Sequence, residues 1–160
     1  MKCLLWCMRT WVLLALMGSG SSMRCLEEER NALLDIKAAF NGPSGSSLPS
    51  WLDGSGGGDC CGWEGVVCDD TTLRVARLYL NDTRDSELRA WVINASLFLP
   101  LEELQVLDLS ENCLSDLNGT LHLKKLKELY LSNNYLQQVP SLYKQTSAEA
   151  QNVSSNQLEG

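Results

Sequence analysis

The stretch LEELQVLDLSENCL at residues 101–114 returns 22 residues later as LKKLKELYLSNNYL at residues 123–136. The two copies share leucine at five positions and asparagine at one, Asn112 in the first copy and Asn134 in the second. A further step of 22 residues reaches Asn156, again with a leucine two residues later. Repetition at a fixed period predicts a solenoid, in which each repeat is one coil that buries its apolar side chains against its neighbours.

This arrangement of leucines around one asparagine is the signature of a leucine-rich-repeat solenoid, with one short strand and a return arc per coil. Strands of successive coils are expected to lie side by side in a parallel sheet above a leucine core. Each asparagine is expected to turn its amide inward, where it satisfies backbone groups that the stack leaves unpaired. We predict about three to four repeats over residues 71–160, the last of them incomplete. The third coil has a thin core, because its leucine slots hold Gln145, Ala148, Gln151 and Val153.

A helix is predicted ahead of the repeats, in residues 26–41. Leu33, Ile36 and Phe40 recur there at helical spacing, and three glutamates occupy the first turn, where the helix dipole favours negative charge. The sequence Asn-Gly-Pro that starts at Asn41 is a stop signal. Together with the parallel strands of the solenoid, this helical cap makes the predicted fold class α/β.

The segment between the helix and the repeats divides into a linker and two strands. The glycine-rich run at residues 54–58 is predicted to be a flexible linker, because no strand precedes it and no Gly-Lys-Ser/Thr follows it, as a phosphate loop would require. Residues 63–68 and 75–80, on either side of a polar turn, predict two strands folded on each other.

Residues 1–22 have the layout of a secretory signal peptide. Lys2 and Arg9 lie around an apolar stretch that runs into small residues. A membrane anchor is the competing interpretation, but the apolar run after Arg9 is much shorter than the roughly 20 residues that a membrane span requires. We therefore expect a secreted, extracellular chain with no membrane span in these residues. Removal of Lys2 and Arg9 makes the net charge of −7 still more negative, which argues against a nucleic-acid partner.

Of the seven cysteines, Cys3 and Cys7 would leave with the signal peptide. Four others cluster early in the mature chain and predict a disulfide framework: Cys25, Cys60, Cys61 and Cys68. A bond between the two adjacent cysteines would be strained, so Cys25 is expected to pair with one of them and Cys68 with the other. A zinc site is the alternative, but the single histidine, His122, lies far down the chain. Cys113 is expected to be a free thiol, an intermolecular partner or a packed side chain.

These motifs resemble the plant-type leucine-rich-repeat proteins, a group that includes receptor-like proteins, receptor kinases and secreted polygalacturonase inhibitors. The resemblance rests on ERNALLDIK at residues 29–37, LPSW at residues 48–51 and DCCGWEGVVC at residues 59–68. WVINASLFLP at residues 91–100 is similar to the receptor-like proteins in particular. The resemblance implies an amino-terminal cap over residues 25–70. It also implies that Cys25 pairs with Cys60 and Cys61 with Cys68.

Coils of this kind expose alternate strand residues on a concave face, where solenoids usually hold their partners. The candidate binding residues on that face are Arg77, Tyr79, Asp108, Glu128 and Tyr130. The expected partner is an extracellular protein, peptide or glycan, with a co-receptor as a further partner. Four Asn-x-Ser/Thr sequons without proline predict N-glycosylation, with Asn118 on a return loop as the leading candidate. Their asparagines are Asn81, Asn94, Asn118 and Asn152.

The sequence contains no motif for a catalytic, cofactor or metal site, so we predict that the chain is not an enzyme. We expect it to be the amino-terminal fragment of a plant receptor-like protein that acts in defence or developmental signalling, at the plasma membrane if a longer protein continues to an anchor. A secreted inhibitor of a microbial polygalacturonase-type enzyme is the alternative. Because the chain stops partway through a motif, without a second cap, we expect an incomplete product that does not signal by itself.

Overall fold

The computed structural model describes residues 25–41, 46–54, 58–85, 87–138 and 150–157. The predicted signal peptide and the third-coil residues Gln145 and Ala148 lie outside the described residues. Helix α1 spans Glu27–Asn41, and the strands are β1 Val66–Cys68, β2 Val75–Tyr79, β3 Trp91–Asn94, β4 Val106–Asp108, β5 Leu114–Asn118, β6 Glu128–Tyr130 and β7 Ala150–Asn152. Two short 3-10 helices span Cys60–Gly62 and Ala95–Phe98. Within the described part, no helix is long and apolar enough to cross a membrane.

The main sheet has five strands in the order β1-β2-β4-β6-β7. Strands β2, β4, β6 and β7 are parallel, and β1 pairs with β2 in the antiparallel sense. Leu78, Leu107 and Leu129 stand in register across the three central strands, and all three are buried. The predicted leucine-rich-repeat solenoid is therefore confirmed, as is the pair of strands that precedes it.

The asparagine at the turn of each coil joins that coil to the one before it. The Asn134 Oδ1 atom accepts hydrogen bonds from the backbone N–H groups of Asn112 and Leu114, at 3.1 and 2.9 Å. The Asn134 Nδ2 group donates to the carbonyl of Leu109 at 2.9 Å. Asn112 and Asn156 make equivalent bonds to their preceding coils. The inward-turned amides predicted from the sequence are thus confirmed.

A second sheet, which the sequence analysis did not predict, forms where β3 and β5 run parallel to each other. The buried Ile93 and Leu117 stand in register at its centre. Asn118 is the last residue of β5 and not, as expected, part of a return loop. β5 begins two residues after Asn112, so the second sheet follows the turn at that asparagine.

Helix α1 packs its buried face, which includes Leu33, Ile36 and Phe40, onto the first coil. Its first-turn residue Glu29, interpreted from the sequence as an end charge, is in fact fully buried and pairs with Arg74 through Oε1 and Nε at 2.7 Å. The other Glu29 oxygen, Oε2, accepts from the Val75 N–H at 3.2 Å. Glu29 therefore ties the helix to the start of the solenoid.

The rest of the cap is organised by Arg30 and two tryptophans. The Arg30 guanidinium donates to the carbonyls of Leu52 and Gly58, at 2.6 and 2.7 Å, and lies 4.9 Å from the ring centre of Trp63. Trp63 in turn stacks on Trp51, with 5.6 Å between the ring centres. The glycine-rich linker is thus held at both of its ends by one buried side chain.

The cap contains two disulfides, Cys25–Cys60 and Cys61–Cys68, which confirms the pairing that the family resemblance implies. All four thiols are consumed, so none remains as a thiolate ligand for the zinc alternative. Cys113 is a half-buried free thiol in the turn after Asn112.

We expect the secreted chain to have one reactive thiol. Alkylation without reduction should label Cys113 alone among the five cysteines of residues 25–160, and alkylation after reduction should label all five. Peptide mass spectrometry measures both states, and Cys113→Ser should abolish the label that forms without reduction. Labelling of Cys25 or Cys68 before reduction would contradict the disulfide framework.

Candidate recognition surface

The strand register brings the five candidate binding residues together on one face of the main sheet. Tyr79, Asp108 and Tyr130 stand opposite one another across β2, β4 and β6 and form one row. Arg77 and Glu128 belong to the neighbouring row, where the buried Val106 stands between them. We call these five residues, Arg77, Tyr79, Asp108, Glu128 and Tyr130, the concave-face group.

Hydrogen bonds fix the acidic members of the concave-face group. The Tyr130 hydroxyl donates to the Glu128 Oε2 atom at 2.7 Å, and this bond raises the pKa of Tyr130 above its usual value. Asp108 accepts from the Ser110 N–H at 2.9 Å through Oδ1. Tyr130 therefore stays a neutral donor at ordinary pH, and the two carboxylates present acceptor oxygens at set positions.

A repeated turn follows each strand of the concave face. Asp82, Glu111, Asn133 and Ser155 all adopt positive φ, between 49° and 60°. The N–H groups of Asp82 and Glu111 donate to the carbonyls of Ser110 and Ser132 in the next coil, at 3.1 and 3.0 Å. The turn carries two exposed acids, Asp82 and Glu111, to one rim of the face. The sequence indicates these turns only through Asp82 and Asn133, because Asp and Asn tolerate left-handed backbone.

The residues of these turns line an open groove of about 370 Å³, together with Cys113, Asn134 and Tyr135. Tyr135 is 46% exposed and adds a third accessible tyrosine close to the concave face. No alternation pattern indicates Tyr135, because it lies in the turn that follows the strand. Among the described residues, no group of three His, Cys, Asp or Glu side chains could hold a metal ion.

Two family models match the chain. The model described as leucine rich repeat N-terminal domain matches residues 26–69, and the model of two leucine rich repeats matches residues 102–144. Receptor-like protein 9a from Arabidopsis thaliana is 37% identical over 123 residues, which is 74% of this chain. The chain belongs to the plant-type leucine-rich-repeat proteins. Receptor like protein 21, also from Arabidopsis thaliana, is 32% identical over 167 aligned residues that include 94% of this leucine-rich-repeat chain.

The aligned regions make up only 12% of receptor-like protein 9a and 17% of receptor like protein 21. Among solved structures, the BIR2 ectodomain from Arabidopsis thaliana is 22% identical to this leucine-rich-repeat chain, with a TM-score of 0.51 and 82% of each chain covered. That similarity supports the fold.

Three of the four sequons of this leucine-rich-repeat protein have a described asparagine side chain, and these three lie on two different faces. Asn81 lies two residues after the end of β2 and is exposed beside the concave face. Asn94 and Asn118 are exposed, end β3 and β5, and are register partners in the second sheet. Asn152 ends β7, and its side chain lies outside the described part.

Proposed function

We propose that this chain is the extracellular recognition part of a plant receptor-like protein, exported by a signal peptide at residues 1–22 and acting in defence or developmental signalling. The observation that carries the proposal is the concave-face group, whose five polar and aromatic side chains share one face of three adjacent parallel strands. The similarity of cap and repeats to receptor-like proteins supports the cellular role. The proposal assigns no catalytic residue, cofactor or metal to the chain.

The concave-face group suits a ligand that is both apolar and rich in hydrogen-bond donors. Tyr79 and Tyr130 flank Asp108, so two amphipathic rings stand on either side of a carboxylate. Tyrosine is among the residues that most often dominate binding energy at interfaces, because its ring buries a large area while its hydroxyl stays satisfied. An extracellular peptide, protein loop or glycan could supply a matching surface, with a co-receptor binding elsewhere on the solenoid.

We expect the loss of Tyr130 to weaken ligand binding strongly. A panel of secreted plant peptides and cell-wall oligosaccharides can be screened by biolayer interferometry against the secreted chain. For a ligand found this way, Tyr130→Ala is expected to raise the dissociation constant by about 30-fold or more, as for truncation of an interface hot spot. Asp108→Asn is expected to weaken binding as well, because it removes a carboxylate acceptor.

Leu52→Ala is the matched control, since Leu52 is exposed on the cap and far along the chain from these strands. It should leave the dissociation constant unchanged. Binding that depends on Leu52 but not on Tyr130 would move the recognition surface to the cap. A chain that stays in the cytoplasm of plant cells would contradict the proposed export.

A further inference from the structure

The second sheet has an outward side that the proposed recognition function does not use. Exposed and buried side chains alternate in the last three residues of β3 and of β5. Ile93 and Leu117 are buried, and the residues on either side of them are exposed. We call these exposed residues, Val92, Asn94, Asp116 and Asn118, the outer face of the second sheet.

Two sequons meet on this outer face. Asn94 and Asn118 are register partners in neighbouring parallel strands, which lie about 4.8 Å apart. The Asn94 Oδ1 atom accepts from the Ser96 N–H at 3.0 Å and so caps the 3-10 helix that follows, whereas the glycan-accepting atom is Nδ2. Asn118 is followed by Gly119, whose φ of +92° turns the chain sharply past the Asn94 side chain. Asn94 and Asn118 are both exposed, which leaves room for a glycan at either position.

One apolar side chain on the outer face of the second sheet is exposed close to these sequons. Val92 is 51% exposed, more than any other large apolar side chain in the described ranges. It lies two residues before Asn94 on the same side of β3, a distance of about 7 Å along the strand. A sugar chain on Asn94, next to a second one on Asn118, would cover it.

We propose that Asn94 and Asn118 both carry N-linked glycans and that this pair covers Val92, so the outer face of the second sheet is shielded and is not a protein docking surface. The inference rests on the proposed export, because the donor, an oligosaccharide linked to a lipid diphosphate, is met in the secretory pathway. In each transfer the Asn Nδ2 forms a bond to C1 of the first sugar and loses one proton. The bond from C1 to the diphosphate oxygen breaks, and the lipid diphosphate leaves with the electron pair.

The position of a third sequon, that of Asn81, favours this assignment. Asn81 occupies the position in its coil that Ser110 and Ser132 occupy in the next two coils, beside the concave-face group. A glycan there would crowd the proposed recognition surface. The outer face of the second sheet, by contrast, presents no residue of the concave-face group. Glycans on Asn94 and Asn118 leave that group open.

The first test is site-by-site glycopeptide mass spectrometry on the full chain secreted from plant cells. We expect glycans on both Asn94 and Asn118. Ser96→Ala and Thr120→Ala each destroy one sequon but keep the asparagine, and the first also keeps the backbone N–H that Asn94 caps. Each variant should migrate one step faster on a gel than the wild type and the double variant two steps faster, whereas the control variants Ser96→Thr and Thr120→Ser should keep both glycans.

The second test asks whether the glycans cover Val92. The double variant Ser96→Ala/Thr120→Ala should bind an apolar fluorescent dye more strongly than the wild type, and adding Val92→Ser should reverse most of that increase. Leu52→Ser is the matched control, because Leu52 is 49% exposed but lies on the cap. It should leave the increase in place. An unchanged dye signal in the double variant would overturn the covering of Val92.

The failures of the two proposals differ. A secreted chain that is unmodified at Asn94 or Asn118 would overturn the glycan pair while export stands. A chain retained in the cytoplasm, with all four sequons unmodified, would overturn the proposed export and the glycan pair together.

Discussion

Replacing Asn134 with alanine is expected to lower the free energy of unfolding by about 3 to 5 kcal/mol, since several buried polar groups lose a partner at roughly 1 to 3 kcal/mol each. The Asn134 side chain is buried and receives the N–H groups of Asn112 and Leu114. It also donates to the carbonyls of Leu109 and Leu131, at 2.9 and 3.1 Å. Alanine satisfies none of these groups and leaves a small cavity between two coils. Chemical denaturation of the secreted chain, followed by circular dichroism, measures the loss.

Two further variants make this prediction specific. Asn31→Ala removes the same side chain from an exposed position on helix α1 and should change the free energy of unfolding by no more than about 0.5 kcal/mol. Asn156→Ala should cost less than Asn134→Ala, because Asn156 is only half-buried. If Asn134→Ala lowered the free energy of unfolding as little as Asn31→Ala, the inward-turned asparagine amides would not be a source of stability.

The leucine core and the asparagine ladder could be predicted because each coil contacts only its neighbours. Residues that lie 22 positions apart in the sequence therefore become register partners in the sheet, as Leu107 and Leu129 do. The first coil breaks the period, since Leu78 lies 29 residues before its register partner Leu107. Arg84 holds this longer coil: it donates to the carbonyl of Phe40 at the helix end, at 2.8 Å, and lies over the ring of Trp91. No periodic pattern could indicate such a contact.

The second sheet escaped prediction for a different reason. Its strands are only four and five residues long, and in β5 the buried Leu114 and Leu117 are separated by Ser115 and Asp116, a spacing that does not alternate. Such a segment becomes a strand because a neighbouring coil pairs with it, and not because of its own preference. The sequence therefore indicates a return loop at Asn118, where the structure has the end of a strand. Of the recognition surface, the alternation rule selected the five residues of the concave-face group, whereas it gave no indication of the rim acids or of Tyr135.

The role of Glu29 likewise depends on a partner that is distant in the chain. Three consecutive acids at the start of a helix indicate a favourable interaction with the helix dipole. In an exposed turn, this interaction alone would account for all three acids. Only the packing of the helix on β2 brings Arg74, 45 residues away, against one of the three. The sequence could not distinguish Glu29 from its exposed neighbours Glu27 and Glu28.

Replacing Arg74 with methionine is expected to lower the free energy of unfolding by about 3 to 5 kcal/mol, the usual cost of leaving a buried charge without its partner. The Glu29 carboxylate is fully buried, and the Arg74 side chain is 24% exposed. Hydrogen bonding to Glu29 raises the pKa of Arg74 above its usual value. Without Arg74, the carboxylate keeps only the Val75 N–H as a donor among the described contacts. Denaturation of the secreted variant measures the loss.

The partner variant should be milder. Glu29→Gln removes the charge but keeps a side-chain oxygen that can accept from Arg74 or Val75, and Arg74 can turn its exposed part to water. The exposed pair Lys125 and Glu103, at 2.6 Å, is the matched control, and Lys125→Met should cost at most about 1 kcal/mol because water screens that pair. Equal losses for Arg74→Met and Lys125→Met would contradict the view that a buried ion pair locks the helical cap onto the solenoid. A larger loss of unfolding free energy for Glu29→Gln than for Arg74→Met would also contradict this view, because the attachment of the cap would then depend on the glutamate side chain itself and not on the ion pair with Arg74.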